Sequence, residues 1–454
     1  MDDTENSADG KREDEGLTTQ PFATRALVIT PVLTNERRSA EGSAASARAP
    51  EARHEEAFGL AEAIDLDIVS ADIVTVNTPR PATLLGTGKL DEIAERVHDL
   101  EAEVVIIDHP LTPVQQRNLE KALKAKVLDR TGLILEIFGR RARTKEGRLQ
   151  VDLAHLEYQR GRLVRSWTHL ERQRGGGGFM GGPGETQIEA DRRQLQERIT
   201  RLKKELEHVR RTRDLHRSKR RKVPFPIVAI VGYTNAGKST LFNRLTGASV
   251  MAEDMLFATL DPTLRRVTLP HGTIIILSDT VGFISDLPTH LVAAFRATLE
   301  EVVEADLVVH LRDISDPDTT AQATDVAAIL GDLGVDASDR TRVLEVWNKV
   351  DNLDAEQRRA LLEGMRASDA PLAISAITGE GVPELLDLIE EHISGAVAPM
   401  TVDLAPHQMS LIDWIYRNGD VTGRADNDDG SITLTVRVTQ TARAEIQERL
   451  AGGR

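Results

Sequence analysis

PIVAIVGYTNAGKSTLFNRL, residues 226–245, decides the fold. PIVAIV has the length of a buried strand, GYTNAGKST (232–240) fits the spacing G-x-x-x-x-G-K-[ST], and STLFNRL is compatible with a helix. Strand, loop and helix in that order make a phosphate cradle. Backbone N–H groups along Gly232, Tyr233, Thr234, Asn235, Ala236 and Gly237, together with the helix N-terminus, point at phosphate oxygens. Lys238 supplies a charge to the β- and γ-phosphates, Ser239 a hydroxyl ligand for Mg²⁺, and Thr240 closes the motif. A chance glycine turn would lack the flanking strand and helix.

Three short motifs follow in order. DTVG (Asp279, Thr280, Val281, Gly282) comes after the apolar run TIIILS, which places a carboxylate where a second strand ends beside the first. Asp279 can hold Mg²⁺ through its water shell, and the Gly282 N–H can sense a γ-phosphate. NKVD (Asn348, Lys349, Val350, Asp351) ends the strand RVLEVW, and the Asp351 carboxylate can accept from the guanine N1–H and exocyclic amine. Adenine lacks that donor pair, so GTP is favoured over ATP. SAITG, 375–379, closes the other side of the base through backbone groups of Ser375, Ala376 and Ile377. Each tetrapeptide alone is common; the four in this order are a strong signal.

A chain of 454 residues suggests about three domains. Cysteine is absent, which removes disulfides, thiolate zinc sites and cysteine nucleophiles and fits a reducing compartment. No apolar run approaches the roughly 20 residues of a membrane span, and the N-terminus is acidic and polar, so a cytoplasmic protein is expected. The net charge of −15 argues against nucleic acid at first sight. Between Gln159 and Lys222, however, nineteen Lys and Arg face eight Asp and Glu, a balance of +11, which leaves −26 for the rest. That island is either a solvated helix pair or a surface for polyanions.

The fold class expected is α/β, with an antiparallel helical hairpin between two α/β domains and a small C-terminal α+β domain. Residues 1–22 read as a disordered acidic tail and about 34–52 as a long loop, both without periodicity. Short apolar runs alternate with helical patterns over 23–140, the signature of a small parallel α/β domain. A basic antiparallel helical hairpin is expected over 141–222, with a Gly-rich tip at 172–186. Its first seam is Leu149, Leu153, Leu156, Leu163, Trp167 and Leu170, a heptad pattern missing one position, where Arg160 sits; the second is Ile188, Leu195, Ile199, Leu202, Leu206 and Val209. Each arm would run roughly 40–50 Å. The GTPase domain, with a mixed, mostly parallel sheet, occupies 223–396. A small C-terminal α+β domain, 397–454, shows one clear strand, SITLTVRV, and a final helix.

The motif set resembles the translation-factor-related P-loop GTPases. GGPGETQIEADRR together with GYTNAGKST, FATLDPT (257–263) and DTVGFI resembles more narrowly the HflX family of ribosome-associated GTPases, over about residues 25–395. The resemblance implies a first switch at Phe257, Ala258, Thr259, Leu260 and Asp261, with Thr259 the second Mg²⁺ ligand beside Ser239 and Thr263 its rival. Lys238, Thr259 and Gly282 would act on the transferred phosphate. It also implies binding of the large ribosomal subunit and its RNA by a monomer, and splitting or rescue of stalled ribosomes. Arg172, Arg174, Arg192 and Arg193 flank the glycine tip and are the candidate RNA contacts. The tip itself cannot be a phosphate loop, because no strand precedes it and no Lys-Ser follows it. Aromatics are 3% of the chain, so RNA contact would rest on phosphates and shape rather than on base stacking.

Two other readings stay open: an ATP- or GTP-driven RNA remodelling factor, and a GTP-dependent protein switch with no RNA partner. GTGK, 86–89, lacks the second half of a phosphate loop and reads as a turn into a helix. Phe283 stands where many related enzymes carry a water-orienting Gln, so slow intrinsic hydrolysis is expected.

Overall fold

A computed structural model describes residues 24–34, 48–173, 183–220, 225–247, 256–257, 259–285, 296–364, 370–395, 398–427 and 429–452. The expected tail, most of the 34–52 loop, residues 174–182 of the hairpin tip and Ala258 lie outside these residues.

The first domain is a parallel sheet of β1 (Arg25–Leu33), β2 (Asp67–Val76), β3 (Val104–Ile107) and β4 (Lys126–Asp129) in the order β2-β1-β3-β4. Helices α1 (Pro50–Glu62), α2 (Thr87–Asp99) and α3 (Pro113–Leu123) connect the strands. Gly86 caps α2, so GTGK opens a helix. The Thr112 hydroxyl accepts from the Gln115 N–H and the Gln115 side chain accepts from the Thr112 N–H, a capping box that fixes the start of α3.

A fourth helix, α4 (Arg130–Arg141), was not expected from the sequence. Its residues 130–135, 137 and 138 are all buried, so it carries no polar stripe to betray a helical period.

Two long helices follow, α5 (Lys145–Gln173) and α6 (Pro183–Arg220). Of the second seam, Ile199 and Leu206 are buried and Leu195, Leu202 and Val209 half-buried. Arg160, the polar interruption of the first seam, donates to the Gln196 side chain at 2.9 Å, and Lys203 pairs with Glu157 at 2.8 Å. The lower part of α5 differs from a plain hairpin arm. Leu149, Val151 and Ala154 are buried, the Tyr158 hydroxyl donates to Asp129 at 2.5 Å, and Arg162 pairs with Asp129 at 2.6 Å. The hairpin is rooted in the first domain.

The third unit is a six-stranded sheet in the order β10-β9-β8-β5-β7-β6. Its strands are β5 (Ile227–Gly232), β6 (Thr263–Thr268), β7 (Ile274–Asp279), β8 (Leu307–Asp313), β9 (Val343–Asn348) and β10 (Leu372–Ala373). All pairs are parallel except β6 with β7. β6, TLRRVT, was not expected: it is an edge strand with Arg265 and Arg266 exposed, and such charges hide its apolar alternation. Around the sheet lie α7 (Lys238–Thr246), α8 (Arg296–Val303), α9 (Thr319–Asp332), α10 (Ala355–Gly364) and α11 (Val382–Ser394).

The C-terminal unit has three antiparallel strands where one was expected, in the order β11 (Ala398–Leu404), β13 (Ile432–Val438), β12 (Asp420–Asp426), with α12 (Ile412–Asn418) and α13 (Gln440–Gly452). β12 holds Gly423 and two Asp, and β11 holds Pro399, residue types depleted in strands.

One apolar core joins the first domain to the third. Leu133, Ile134 and Phe138 of α4 belong to the same buried cluster as Tyr233, Phe257, Leu260, Phe283 and Ile284. The two α/β units are packed on a shared interior. Among the described residues no helix is long and apolar enough to cross a membrane.

Candidate nucleotide site

Four strands deliver the candidate residues to one edge of the sheet. Gly232 ends β5, Asp279 ends β7, Asp313 ends β8 and Asn348 ends β9, all at the C-terminal ends of parallel strands, where open α/β sheets bind ligands. Behind β5 the chain turns through Asn235 at φ 60° and Gly237 at φ 90°, then enters α7 at Lys238. An added Cβ at Gly237 would overlap the Asn348 amide, so only glycine fits.

Ser239, Thr259 and Asp279 converge. The Ser239 hydroxyl donates to Asp279 Oδ2 at 2.8 Å, the Thr259 hydroxyl donates to the same oxygen at 2.9 Å, and the two hydroxyls are 3.0 Å apart. Thr263, the rival, is the first residue of β6 and pairs with Asp279 in the sheet ladder. The other carboxylate oxygen of Asp279, Oδ1, is buried with no hydrogen-bond partner, as is Thr234 Oγ1. Burial pushes the Asp279 carboxyl up, against the bonds from Ser239 and Thr259. Two hydroxyls and a carboxylate whose other oxygen is buried without a hydrogen-bond partner are hard oxygen donors that fit a small divalent cation such as Mg²⁺. Among the described residues no cluster of three His, Asp or Glu offers another metal site.

Lys238 is buried, and its ammonium donates to the Tyr233 carbonyl at 2.6 Å. Burial pushes it down to about 8, with Asp279 opposing. Gly282 lies close by: a Cβ there would stand 2.9 Å from Thr234 Cγ2 and 3.1 Å from Lys238 Nζ. The loop and the segment after Asp279 are tied by backbone bonds, Thr234 N–H to Phe283 O at 2.7 Å and Phe283 N–H to Gly232 O at 3.1 Å. Phe283 is buried in the shared core.

The base-side motifs also meet. Asn348 donates to the Ala236 carbonyl at 2.8 Å and accepts from the Ala376 N–H at 2.9 Å, so its amide bridges the phosphate loop and the SAITG loop. Lys349, at φ 66°, pairs with Asp313 at 2.7 Å. Asp351 Oδ1 is buried with no hydrogen-bond partner, in keeping with an acceptor awaiting donors. Arg244 of α7 was not anticipated. Its guanidinium donates to the Ala376 carbonyl at 2.6 Å and to the Ile377 carbonyl, and so holds the SAITG loop from its outer side.

Two residues expected beside the nucleotide are engaged elsewhere. Asp261 accepts from the Arg143 N–H at 2.9 Å, the Thr144 N–H at 2.8 Å and the Thr144 hydroxyl at 2.6 Å, which places its carboxylate at the N-terminus of α5. Phe257, at φ 56°, is buried edge-on against Phe138 with ring centroids 4.8 Å apart. Replacing Asp261 by Ala should cost about 1 kcal/mol of helix-end stability. Amides 143–147 would then exchange with solvent roughly fivefold faster in hydrogen-exchange measurements; unchanged protection would show that the carboxylate does not hold the helix end.

A phosphate loop, a hydroxyl–carboxylate triad and a buried carboxylate acceptor at the ends of one mostly parallel sheet are the arrangement of a P-loop GTPase. Residues 227–349 match the family described as 50S ribosome-binding GTPase, 51–139 the GTP-binding GTPase N-terminal family, 141–220 the GTP-binding GTPase middle region, and 360–454 the HflX C-terminal domain. The chain is 54% identical over 343 residues to the GTPase HflX of Magnetococcus marinus, covering 76% of this chain and 78% of the relative. With the GTPase HflX of Escherichia coli K12 it shares 46% identity over 360 residues, 79% of this chain and 83% of the relative. A solved GTP-binding protein of Sulfolobus solfataricus in complex with GDP is 25% identical, with 81% and 98% of the two chains covered and a TM-score of 0.43. The chain belongs to the HflX family of GTPases.

Proposed function

We propose that this GTPase is Mg²⁺-dependent, binds the large ribosomal subunit through its basic hairpin, and couples the state of its nucleotide to splitting or rescue of stalled ribosomes. The observation that carries the cation and nucleotide reading is the meeting of Ser239, Thr259 and Asp279 within 3.0 Å of one another. What supports the ribosome is the match of residues 227–349 to a family described as 50S ribosome-binding, together with the +11 island on the hairpin.

In this reading the phosphates lie along the N–H groups of 235–238, and Lys238 neutralises charge between the β and γ groups. Bound Mg²⁺ would supply electrostatic stabilisation of the phosphate oxygens, held by Ser239, Thr259 and, through water, Asp279. The Gly282 N–H reads the γ-phosphate, so loss of that group frees both Gly282 and Thr259. Thr259 and Asp261 stand two residues apart in one short segment, the first at the cation triad and the second on the root of α5. Movement of Thr259 therefore pulls on the hairpin.

Phe283 is buried and cannot orient water, so the isolated chain should turn over more slowly than about 1 s⁻¹, the low end of ordinary enzyme rates. Large ribosomal subunits should accelerate it by ordering the switches or supplying a group in trans. Phosphate release with and without subunits measures this, and co-sedimentation with a GTP analogue or GDP measures the binding. An RNA remodelling factor would respond to any structured RNA. A switch with no RNA partner would not sediment with subunits in either nucleotide state, and that result would overturn the proposal.

A further inference from the structure

A buried charged cluster joins the first domain to the catalytic loops. Arg48, Glu56, Asp108 and Arg130 have side chains no more than 10% exposed. Arg130 pairs with Asp108 at 2.6 Å and with Glu56, and Arg48 pairs with Glu56 at 2.6 Å. From the other side come Tyr233 of the phosphate loop and Ser285, three residues past Gly282. The Glu56 carboxylate takes four donors. Oε1 accepts from Arg130 and from the Ser285 hydroxyl at 3.2 Å; Oε2 accepts from Arg48 and from the Tyr233 hydroxyl. The Tyr233 oxygen in turn accepts from the Ser285 N–H at 2.9 Å and from Arg48 at 2.9 Å. Arg130 also donates to the Ser285 carbonyl at 3.0 Å.

Burial opposes ionisation of Glu56, and the Arg130 and Arg48 charges overcome it, so the carboxyl stays below its usual range and accepts all four bonds as an anion. Both oxygens are then saturated. One anion of the first domain fixes the second residue of the phosphate loop and the residue that follows the Gly282 segment. Between these fixed points lie the two backbone bonds joining 232–234 to 283, and Gly282 sits within contact of Thr234 and Lys238.

We propose that Glu56 is a positioning residue for GTP hydrolysis: by holding Tyr233 and Ser285 together it sets the distance between the phosphate loop and Gly282. A γ-phosphate donor displaced by even an ångström loses most of its effect on the transition state, whereas GDP, which does not reach Gly282, is held as before. The inference rests on the GTPase reading of this site.

The test uses the full chain with and without large ribosomal subunits, reading single-turnover GTP hydrolysis and GDP affinity for Glu56→Gln, Tyr233→Phe and the pair. Glu56→Gln replaces one saturated oxygen by a donor and leaves Arg130 to Asp108 and Arg48 to Asp318, a loss of buried charge pairing that can prevent folding. Tyr233→Phe removes one hydroxyl and leaves the arginine–glutamate pairs intact, which separates positioning from folding. Each folded single variant should hydrolyse about tenfold more slowly with GDP affinity within about twofold. The pair should be no slower than the slower single variant, since both act through one brace. Unchanged or faster hydrolysis by Tyr233→Phe, or a loss in the pair that multiplies the two single losses, would overturn the inference alone. A wild-type chain that hydrolyses no GTP in either condition would overturn the GTPase reading and the inference with it.

Discussion

Asp351→Asn should lower GTP affinity by about 10²–10³-fold and raise affinity for xanthosine triphosphate by a comparable factor. Asp351 Oδ1 is buried and has no hydrogen-bond partner, an arrangement that costs free energy unless donors arrive. Guanine brings two, N1–H and the exocyclic amine, both bonding an anion. Charge-assisted bonds contribute roughly 1.5–3 kcal/mol each, and each 1.4 kcal/mol is tenfold in affinity. An amide in place of the carboxylate offers its N–H₂ to the amine, a donor against a donor. Xanthine carries a carbonyl at that ring position, which accepts from the amide. Competition of GTP and XTP against a fluorescent nucleotide checks the exchange. The loop that frames the base is held by Asn348 and Arg244, neither of which the substitution touches, so a variant that still prefers GTP would place the base elsewhere.

The nucleotide site was legible because its chemistry is local: each motif occupies a few consecutive residues at the end of a buried strand, and the β5 and β7 ends lie side by side in the ladder. What was not legible depends on contacts between distant segments. Arg130 follows an apolar strand directly, and only the packing of α4, which it opens, turns it into a partner for Glu56, 74 residues earlier. Asp261 sits inside a segment that resembles a switch, yet its carboxylate caps a helix 117 residues upstream. Arg244 looks like an ordinary polar residue of α7 until the SAITG loop folds over it. β11 and β12 escaped notice because Pro399 and Gly423 break their patterns, although their apolar residues Val402, Leu404 and Val421 pack in the C-terminal core. The hairpin seam was readable from period alone, but its rooting in the first domain through Asp129 was not, since neither Tyr158 nor Arg162 falls on the seam.

Replacing Arg172, Arg174, Arg192 and Arg193 together by Ala should weaken binding of the large subunit by about 10²–10³-fold at moderate salt and flatten its salt dependence. Arg192 and Arg193 are exposed on α6, and Arg172 lies in the last turn of α5, so the described members of the set stand at the far end of the hairpin. Among the described residues Arg193 pairs with Glu197 at 4.0 Å, an exposed pair worth little. Each phosphate neutralised by an arginine releases counterions, with a slope of about −0.9 per contact in log affinity against log salt for duplex nucleic acid. Four lost contacts should therefore make the slope shallower by roughly three to four. The rest of the chain carries −26, which repels RNA and leaves the basic hairpin as the part that can approach it. A glycine–serine loop of equal length in place of 175–184 serves as the companion variant: it keeps the arginines, so binding and its salt slope should persist while ribosome splitting falls if the tip sequence itself enters the subunit. Sedimentation across a salt series and light-scattering of splitting read the two effects separately. Should both variants bind and split ribosomes as the wild type does, the hairpin end is a connector, and the polyanion surface must be sought elsewhere on the island between Gln159 and Lys222.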